Sequence, residues 1–337
     1  MGSFIARRLL GLVLTLLAAS VLVFIVTEFS PGSVARKTLG PYAVQEQVDR
    51  LYQKLHLNDP LPLRYARWIS VLAGLIEDPL QDPELGLGFK DPRGARYFGN
   101  FGYSTLFKAP VNDVLWRRLG NTALLAGLAF SLIVPLSLGL GILAGMNEGS
   151  RLDRLISVLS IVMTSVPEFA SGVILVAIFV VALGWLPGTS PLDPGAGWSL
   201  ASQLVLPVAV LTFYDAGYVA RMVRSSMAEV MATPYIRTAI LKGLPRQQVI
   251  MRHAVRNAMI APFTVIMLQI NWLIGGIVVT ELVFAYPGFG RMLLEASLFG
   301  DIALIEAATL VALMVAMMTQ FISDLGYVLL NPQIRLA

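Results

Sequence analysis

The run Thr233-Pro-Tyr-Ile-Arg-Thr-Ala-Ile-Leu-Lys-Gly-Leu-Pro-Arg-Gln-Gln-Val-Ile-Met-Arg-His-Ala-Val-Arg-Asn257 is the longest polar interruption in the apolar C-terminal two thirds of the chain. Its local chemistry describes two short helices meeting at a corner. Thr233 suits the cap of the first helix with Pro234 at its first position, and Gly243 suits its end in the left-handed conformation. Pro245 suits the first turn of the second helix. Arg237, Lys242, Arg246, Arg252 and Arg256 lie in this run with no carboxylate among them, which makes the corner basic and assigns it to the cytoplasmic side. A polar knob set between apolar spans is a surface for a partner.

Outward from the corner, the chain is membrane. Of its 337 residues 56% are hydrophobic and only 14% charged, and mean hydropathy is +0.72; soluble domains carry roughly a quarter charged residues. The formal net charge of +4 is small and gathered in particular loops, so it reports topology and excludes a nucleic-acid footprint. Cysteine is absent, which removes disulfides, thiolate catalysis and Cys-ligated metals. The two histidines, His56 and His253, are far apart with no carboxylate in ligand spacing, so no metal or haem site is expected.

Arg7 and Arg8 precede an apolar run from Leu9 to Thr27. At about 19 residues it exceeds the signal-peptide core of about 7 to 15, and no small-x-small site follows Glu28, so a retained first span with its N-terminus inside is expected. From Ser30 to Arg118 the chain is polar and proline-rich, an extramembrane segment on the far side. Val44, Val48, Leu51 and Leu55 form one apolar helical stripe there. Tyr65, Trp68, Ile69 and Leu72 form a second. These helices either pack on the outer ends of the bundle or offer a docking surface to an extracytoplasmic partner. Further spans are read at Thr122–Met146 with Pro135, Leu155–Leu183 with Pro167, Leu204–Ala220, Ala258–Val283 and Ile302–Leu330. Gly184 to Ser202 holds no Lys or Arg, as an outer loop should. Six spans with both termini cytoplasmic satisfy the short-loop charges.

No phosphate-binding Gly-x-x-x-x-Gly-Lys-Ser/Thr, Gly-x-Ser-x-Gly or His-Glu-x-x-His sequence occurs, so the chain is not expected to hydrolyse nucleotide or to be an enzyme. Polar residues inside the spans are few: Glu168, Asp215, Gln269, Asn271, Glu306 and Asp324. A mid-helix acid costs about 2.5 to 3.5 kcal/mol on insertion, so each should face a water-filled path or a partner. Asp215, about two turns inside from Arg221, either lines a cavity that attracts a cationic group or serves packing. Glu168 follows the break expected at Pro167, and structure and function are both open to it. Glu306, near the start of its span, is expected at the outer interface.

At Tyr235 the residues become specific. Tyr235-Ile-Arg237-Thr238-Ala239-x-x-Lys242-Gly243-Leu244, then His253-Ala-x-Arg256-Asn257-Ala258 and Pro262, resembles the cytoplasmic EAA loop of the integral-membrane permease subunits of dipeptide/oligopeptide/nickel-type ABC importers. Arg237 and Thr238 stand where other importer families have Glu and Ala. The resemblance continues through Glu281-Leu-Val-Phe-Ala-Tyr-Pro-Gly-Phe-Gly-Arg291 and Asn331-Pro-Gln-Ile-Arg335, and at the N-terminal side through Arg7 to Leu10, Phe29 to Gly32 and Gly99 to Ser104, covering nearly the whole chain. Leu75 to Phe98 resembles an insertion, and Asp215 departs from a span generally more apolar in that family.

The resemblance implies an all-α type I ABC importer permease fold of six transmembrane helices with a helical extracytoplasmic segment between the first two. Residues 1–29 would be the N-terminus and first helix, 30–118 the extracytoplasmic segment, and 119–337 the core with a cytoplasmic coupling loop at 221–257. It implies residence in a bacterial or archaeal-type cytoplasmic (inner) membrane and transport of di- or oligopeptides. A second homologous permease, two ABC ATPase subunits that hold ATP and Mg, and an extracytoplasmic solute-binding protein would be its partners. Tyr235, Arg237, Thr238, Ala239, Lys242, Gly243, Leu244, His253, Arg256 and Asn257 would couple to the ATPases. Glu168, Asp215, Gln269 and Asn271 are candidates for the substrate path. The alternative, a self-contained secondary transporter or channel, would call for an internal repeat across two halves and leave the basic corner without a role.

Overall fold

A computed structural model of the chain describes residues 2–28, 42, 44–54, 58–81 and 90–330, with the side chains of 2–5, 9, 50, 54, 271–276 and 327–330 left aside. Leu55, His56, Phe29 to Gly32 and Asn331 to Arg335 lie outside the described residues. Helices dominate; a two-stranded antiparallel ladder pairs β1 (Tyr103–Ser104) with β2 (Ala109–Pro110). The chain forms two compact units, Met1–Asn121 with Gly288–Met317, and Thr122–Pro287 with Met318–Ala337.

The first unit holds α1 (Gly2–Glu28), α2 (Gln45–Lys54), α3 (Leu61–Leu72), the ladder, the first turns of α4 (Val111–Gly145), α13 (Phe289–Phe299) and the start of α14 (Ile302–Leu330). Val111, Leu115, Phe289, Met292, Ala296, Leu304 and Ala308 make its core. On the α2 stripe Val48 and Leu51 are buried and Val44 is exposed. The α3 stripe packs on α1: Tyr65 and Trp68 ring Phe24 with centroids 5.5 and 6.0 Å away, and the Tyr65 hydroxyl meets Ser20 Oγ at 2.7 Å. Two of the four stripe residues, Tyr65 and Trp68, thus meet α1, and Arg64 pairs with Glu28 beside it.

Glu306 has a partner that the sequence did not reveal. It is buried, with the Thr27 hydroxyl donating to its carboxyl group at 2.7 Å, because α1 supplies a polar partner where hydropathy shows only an apolar run. Asp301, just before α14, accepts from Ser104 Oγ at 2.6 Å and from the Leu106 amide at 3.1 Å. Its burial pushes its carboxyl up from the ordinary value against these bonds.

The described ends of the insertion are held by side chains. Asp91 accepts both Arg93 Nε at 2.9 Å and Nη2 at 3.1 Å, and the Tyr97 hydroxyl at 2.7 Å. Arg93 also pairs with Asp113 in the first turn of α4 at 2.9 Å. Gln81 accepts the Asp91 amide at 3.1 Å, and the Asp78 amide donates to the Ala95 carbonyl at 2.9 Å. Leu75 to Phe98 is therefore anchored at both ends.

The second unit holds the rest of α4, then α5 (Arg151–Ser165), α6 (Glu168–Val176) continued by a π turn Ala177–Ala182, α7 (Leu200–Met231), the corner, α11 (Ile260–Gly276), α12 (Val278–Val283) and the end of α14. α1, α4, α7 and α14 are each long and apolar enough to cross a membrane. The span expected at Leu155–Leu183 is not one rod: α5 and α6 meet at 95°. Pro167 lacks an amide donor and forces Val166 to extended backbone (ψ 123), which ends α5 and caps α6. With this bent pair the candidates number up to five among the described residues, and the shorter apolar α11 takes the place of the Ala258–Val283 span, interrupted before α12. α7 is longer than the expected Leu204–Ala220, its last turns carrying the chain from the apolar zone to the corner.

Small residues let α7 approach its neighbours. A Cβ added at Gly145 of α4 would lie 2.5 Å from Met227 Cβ, and one at Gly217 of α7 would lie 2.8 Å from the Ser160 carbonyl of α5. Backbones come this close only where a side chain is missing. Val219 and Val223 of α7 pack with Val265 and Ile266 of α11 and with Phe130, Val134 and Leu138 of α4.

Candidate functional site

The corner follows directly from α7. Its first helix, α8, spans Pro234–Leu241, and Gly243 stands beyond it at φ 77 with its amide donating to the Ile240 carbonyl at 2.9 Å. Gly243 thus supplies the left-handed turn that its residue type announced. Thr233 occupies the cap position, but its hydroxyl donates to the Val230 carbonyl at 2.6 Å and makes no side-chain cap bond. The reason is that α7 ends immediately before it with carbonyls in need of donors. Pro245 caps the second element from outside as α9 (Arg246–Gln248), which runs through a π turn Val249–Ala254 into α10 (Val255–Ala258).

An apolar seam of Met227, Ile236, Ala239, Val249, Ile250, Ala254 and Ala258 closes the corner, with Leu244 half-buried against it. Ala239 thus faces the interior and contributes packing. Tyr235, Arg237, Thr238, Lys242, Gly243, Arg256 and Asn257 are exposed, and His253 is half-buried. Asn257 Nδ2 donates to the Tyr235 hydroxyl at 2.8 Å and to the His253 carbonyl at 3.3 Å, bringing the two halves of the sequence pattern together. Ile240, Leu241 and Met251 are exposed beside the basic side chains, Leu241 at 79%. An apolar and cationic face outside an apolar seam is the composition of a protein-binding patch. Arg246 adds a tie that the sequence pattern does not reveal, donating to Asn147 Oδ1 at 3.1 Å in the turn after α4.

Within the spans, three of the four path candidates converge. Gln269 of α11 donates to Asp215 Oδ1 of α7 at 2.5 Å, and Asp215 is 1% exposed. Glu168, half-buried at the start of α6, accepts from the Thr280 hydroxyl of α12 and belongs to the helix packed beside that of Asp215. The Asn271 side chain lies outside the described residues. Two carboxyl groups from facing helices, each held by a neutral donor, are polar groups satisfied in an apolar surround.

A second buried acid was not singled out from sequence as a spanning polar residue. Glu281 of α12 is fully buried and accepts from the Thr122 hydroxyl of α4 at 2.5 Å. Its signal was present, an acid inside the apolar run Ile277 to Val283, but the run closes the span and reads equally well as loop. In the first unit a cavity of about 200 Å³ is lined by Phe24, Arg64, Trp68, Asp78, Asp301 and Glu306. Among the described residues no group of three or more His, Asp or Glu is placed to hold a metal.

Residues 137–336 match the family model described as binding-protein-dependent transport system inner membrane component, and residues 1–126 match the model of the N-terminal part of such membrane components. The chain is 32% identical over 338 residues to the probable peptide ABC transporter permease protein y4tP of Sinorhizobium fredii, covering 99% of this chain and 100% of that one. It is 32% identical over 335 residues to the glutathione transport system permease protein GsiC of Escherichia coli K12, covering 99% of each. An amino acid ABC transporter crystallised with histidines is similar at a TM-score of 0.48 and 15% identity, over 64% of this chain and 94% of that one.

Proposed function

From the premise that the chain belongs to the family of binding-protein-dependent transport system inner membrane components, and so is a permease subunit of an ABC importer, we propose that it forms half of a translocation path for di- or oligopeptides. Its other half would be a second, homologous permease. Two ABC ATPase subunits would hold ATP and Mg beneath the pair, this chain's sequence carrying no Gly-x-x-x-x-Gly-Lys-Ser/Thr run, and an extracytoplasmic binding protein would deliver the peptide. The relatives named for peptide and glutathione transport support the substrate class.

The observation that carries the reading is the corner. A helix ended by left-handed Gly243, closed over an apolar seam and continuous with α7 and α11 through short connections, can take a push at Tyr235 to Leu244 without collapsing. His253, Arg256 and Asn257 would brace it to α11. In this reading both termini are cytoplasmic, 30–118 is extracytoplasmic, 119–337 is the core with its coupling loop at 221–257, and Glu168, Asp215, Gln269 and Asn271 border the path. ATP-driven closure beneath the corner would tilt the helices and alternate access.

The test is purification of the complex with its binding protein, mass spectrometry of the retained ligand, and uptake into proteoliposomes. A retained peptide and uptake that requires ATP are expected. A non-peptide ligand would overturn the substrate class, and ATP-independent uptake by this chain alone would overturn its role as a subunit.

A further inference from the structure

Neither Arg224 nor Asp153 is among the corner's contact residues at 233–257 or the four path candidates. Arg224 sits on α7 seven residues before its end at Met231, and Asp153 is in the first turn of α5. The guanidinium grips the carboxylate with two bonds, Nε to Oδ1 at 3.0 Å and Nη2 to Oδ2 at 2.8 Å. Asp153 is 3% exposed. Its remaining acceptor capacity goes to the Gly149 amide at 2.9 Å and the Ser157 hydroxyl at 3.4 Å, while its own amide donates to Ser150 Oγ at 3.1 Å. Glu148 stands 3.7 Å from the same guanidinium. The paired planar geometry fixes orientation as well as distance, which a single ion contact does not.

The pair fastens these helices at one point, and a close backbone approach fastens them at another. From Asp153 to Ser160 along α5, and from Arg224 back to Gly217 along α7, the step is seven residues. At the second point a Cβ on Gly217 would meet the Ser160 carbonyl at 2.8 Å and Met163 Cβ at 2.9 Å. An ion pair at one end and backbone contact about two turns away leave α5 little freedom to slide or rotate on α7. Beyond its last turn α5 breaks by 95° at Pro167 into α6, which begins with Glu168.

We infer that Arg224 and Asp153 are positioning residues that make α5 travel with α7, so that a push received at the corner is delivered to the break at Pro167 and to Glu168. This rests on the corner being the ATPase contact. α7 receives the load at Met231, Arg224 passes it to α5, and the break turns an axial movement of α5 into a swing of α6. Without the pair, α7 moves and α5 lags.

The absence of native cysteine allows clean labelling. Nitroxide pairs at Arg154→Cys and Ser225→Cys, both exposed positions flanking the pair, report the α5–α7 distance by pulsed electron resonance in the complete transporter, nucleotide-free and trapped with a non-hydrolysable ATP analogue. The expected result is one narrow distance, equal in both states, that broadens or splits on trapping in Asp153→Asn. Uptake of a radiolabelled tripeptide per ATP hydrolysed should fall about five-fold or more in that variant, the low end of coupling between linked sites. The exchanged pair Asp153→Arg with Arg224→Asp should recover part of it, whereas a merely structural loss would lower ATP hydrolysis and uptake together. A native distance that shifts on trapping, or an Asp153→Asn transporter with unchanged distance and uptake ratio, would overturn the inference. A wild-type complex without ATP-driven uptake counts against the importer reading; the trapped distances decide the coupling of α5 to α7 in that case also.

Discussion

Asn257 and Tyr235, 22 residues apart, join the end of the corner to its beginning through a 2.8 Å bond from the Asn257 amide nitrogen to the Tyr235 hydroxyl. Both are exposed, so the bond is worth about 0.5 to 1.5 kcal/mol at most. Tyr235→Phe and Asn257→Ala are expected each to lower ATP-driven uptake modestly. The double variant should be no worse than the stronger single one, because one bond is lost in all three. Additive losses in a double-mutant cycle of uptake rates would show that the two side chains act separately.

Gly243 stands at φ 77 with open space where a Cβ would go. A substitution there is opposed by backbone conformation alone, at about 1 to 2 kcal/mol for an ordinary residue and more for a β-branched one. Gly243→Val is expected to uncouple uptake from ATP hydrolysis or to prevent ATPase assembly, whereas Gly243→Asn, which tolerates the left-handed region, should stay near wild type. Copurification of the ATPases and uptake measured together check this; wild-type uptake by the valine variant would remove the corner from the mechanism.

Asp215 is buried and held by Gln269. If its carboxylate selects cationic substrates, Asp215→Asn should depress uptake of Lys- or Arg-containing peptides several-fold more than that of neutral peptides. Competition uptake with matched peptides separates the cases. Equal loss for both classes would assign the residue to packing, since an amide opposite Gln269 disturbs the bond whatever the substrate.

Asp91 lies outside the spans. Burial pushes its carboxyl up, but hydrogen bonds from the Arg93 side chain and amide and from Tyr97 outweigh this and hold it below the ordinary carboxylate value. A depressed carboxyl stabilises the fold above its unfolded value, about 3.9, and that contribution is lost as pH falls through the lower folded value. Protection of the Arg93 amide, which donates to Asp91 at 2.9 Å, should therefore persist at pH 5 and disappear only below about pH 4. In Asp91→Asn, hydrogen exchange at Arg93 should be fast and should lose this acid transition; an unchanged transition would assign it to another group.

Much of this molecule could be read along the chain. Pro234 and Gly243 bound the first corner helix as their residue types require, and the final helix begins and ends where its apolar run does. Pro167 marked the broken span, although the local pattern gave no angle: an apolar run on each side of a proline fits a kinked rod as well as a right-angled pair. Thr233 stands at the cap as its residue type suggests, but its hydroxyl serves the preceding helix, a competition invisible to a reading that treats each cap alone.

The sequence by itself determined the membrane class, the long apolar helices α1, α4 and α14, the basic corner and its left-handed turn, because composition, apolar run length, proline and glycine act within a few residues of themselves. The tertiary structure alone decided which polar groups meet. Gln269 finds Asp215 across 54 residues and Arg224 finds Asp153 across 71. Thr27 reaches Glu306 across 279. Each pairing depends on how helices are rotated and set in depth against one another, which small residues such as Gly145 and Gly217 allow and the packing of many apolar side chains fixes. A buried carboxyl in an apolar run therefore announces that it needs a partner, and only the packed helices supply one.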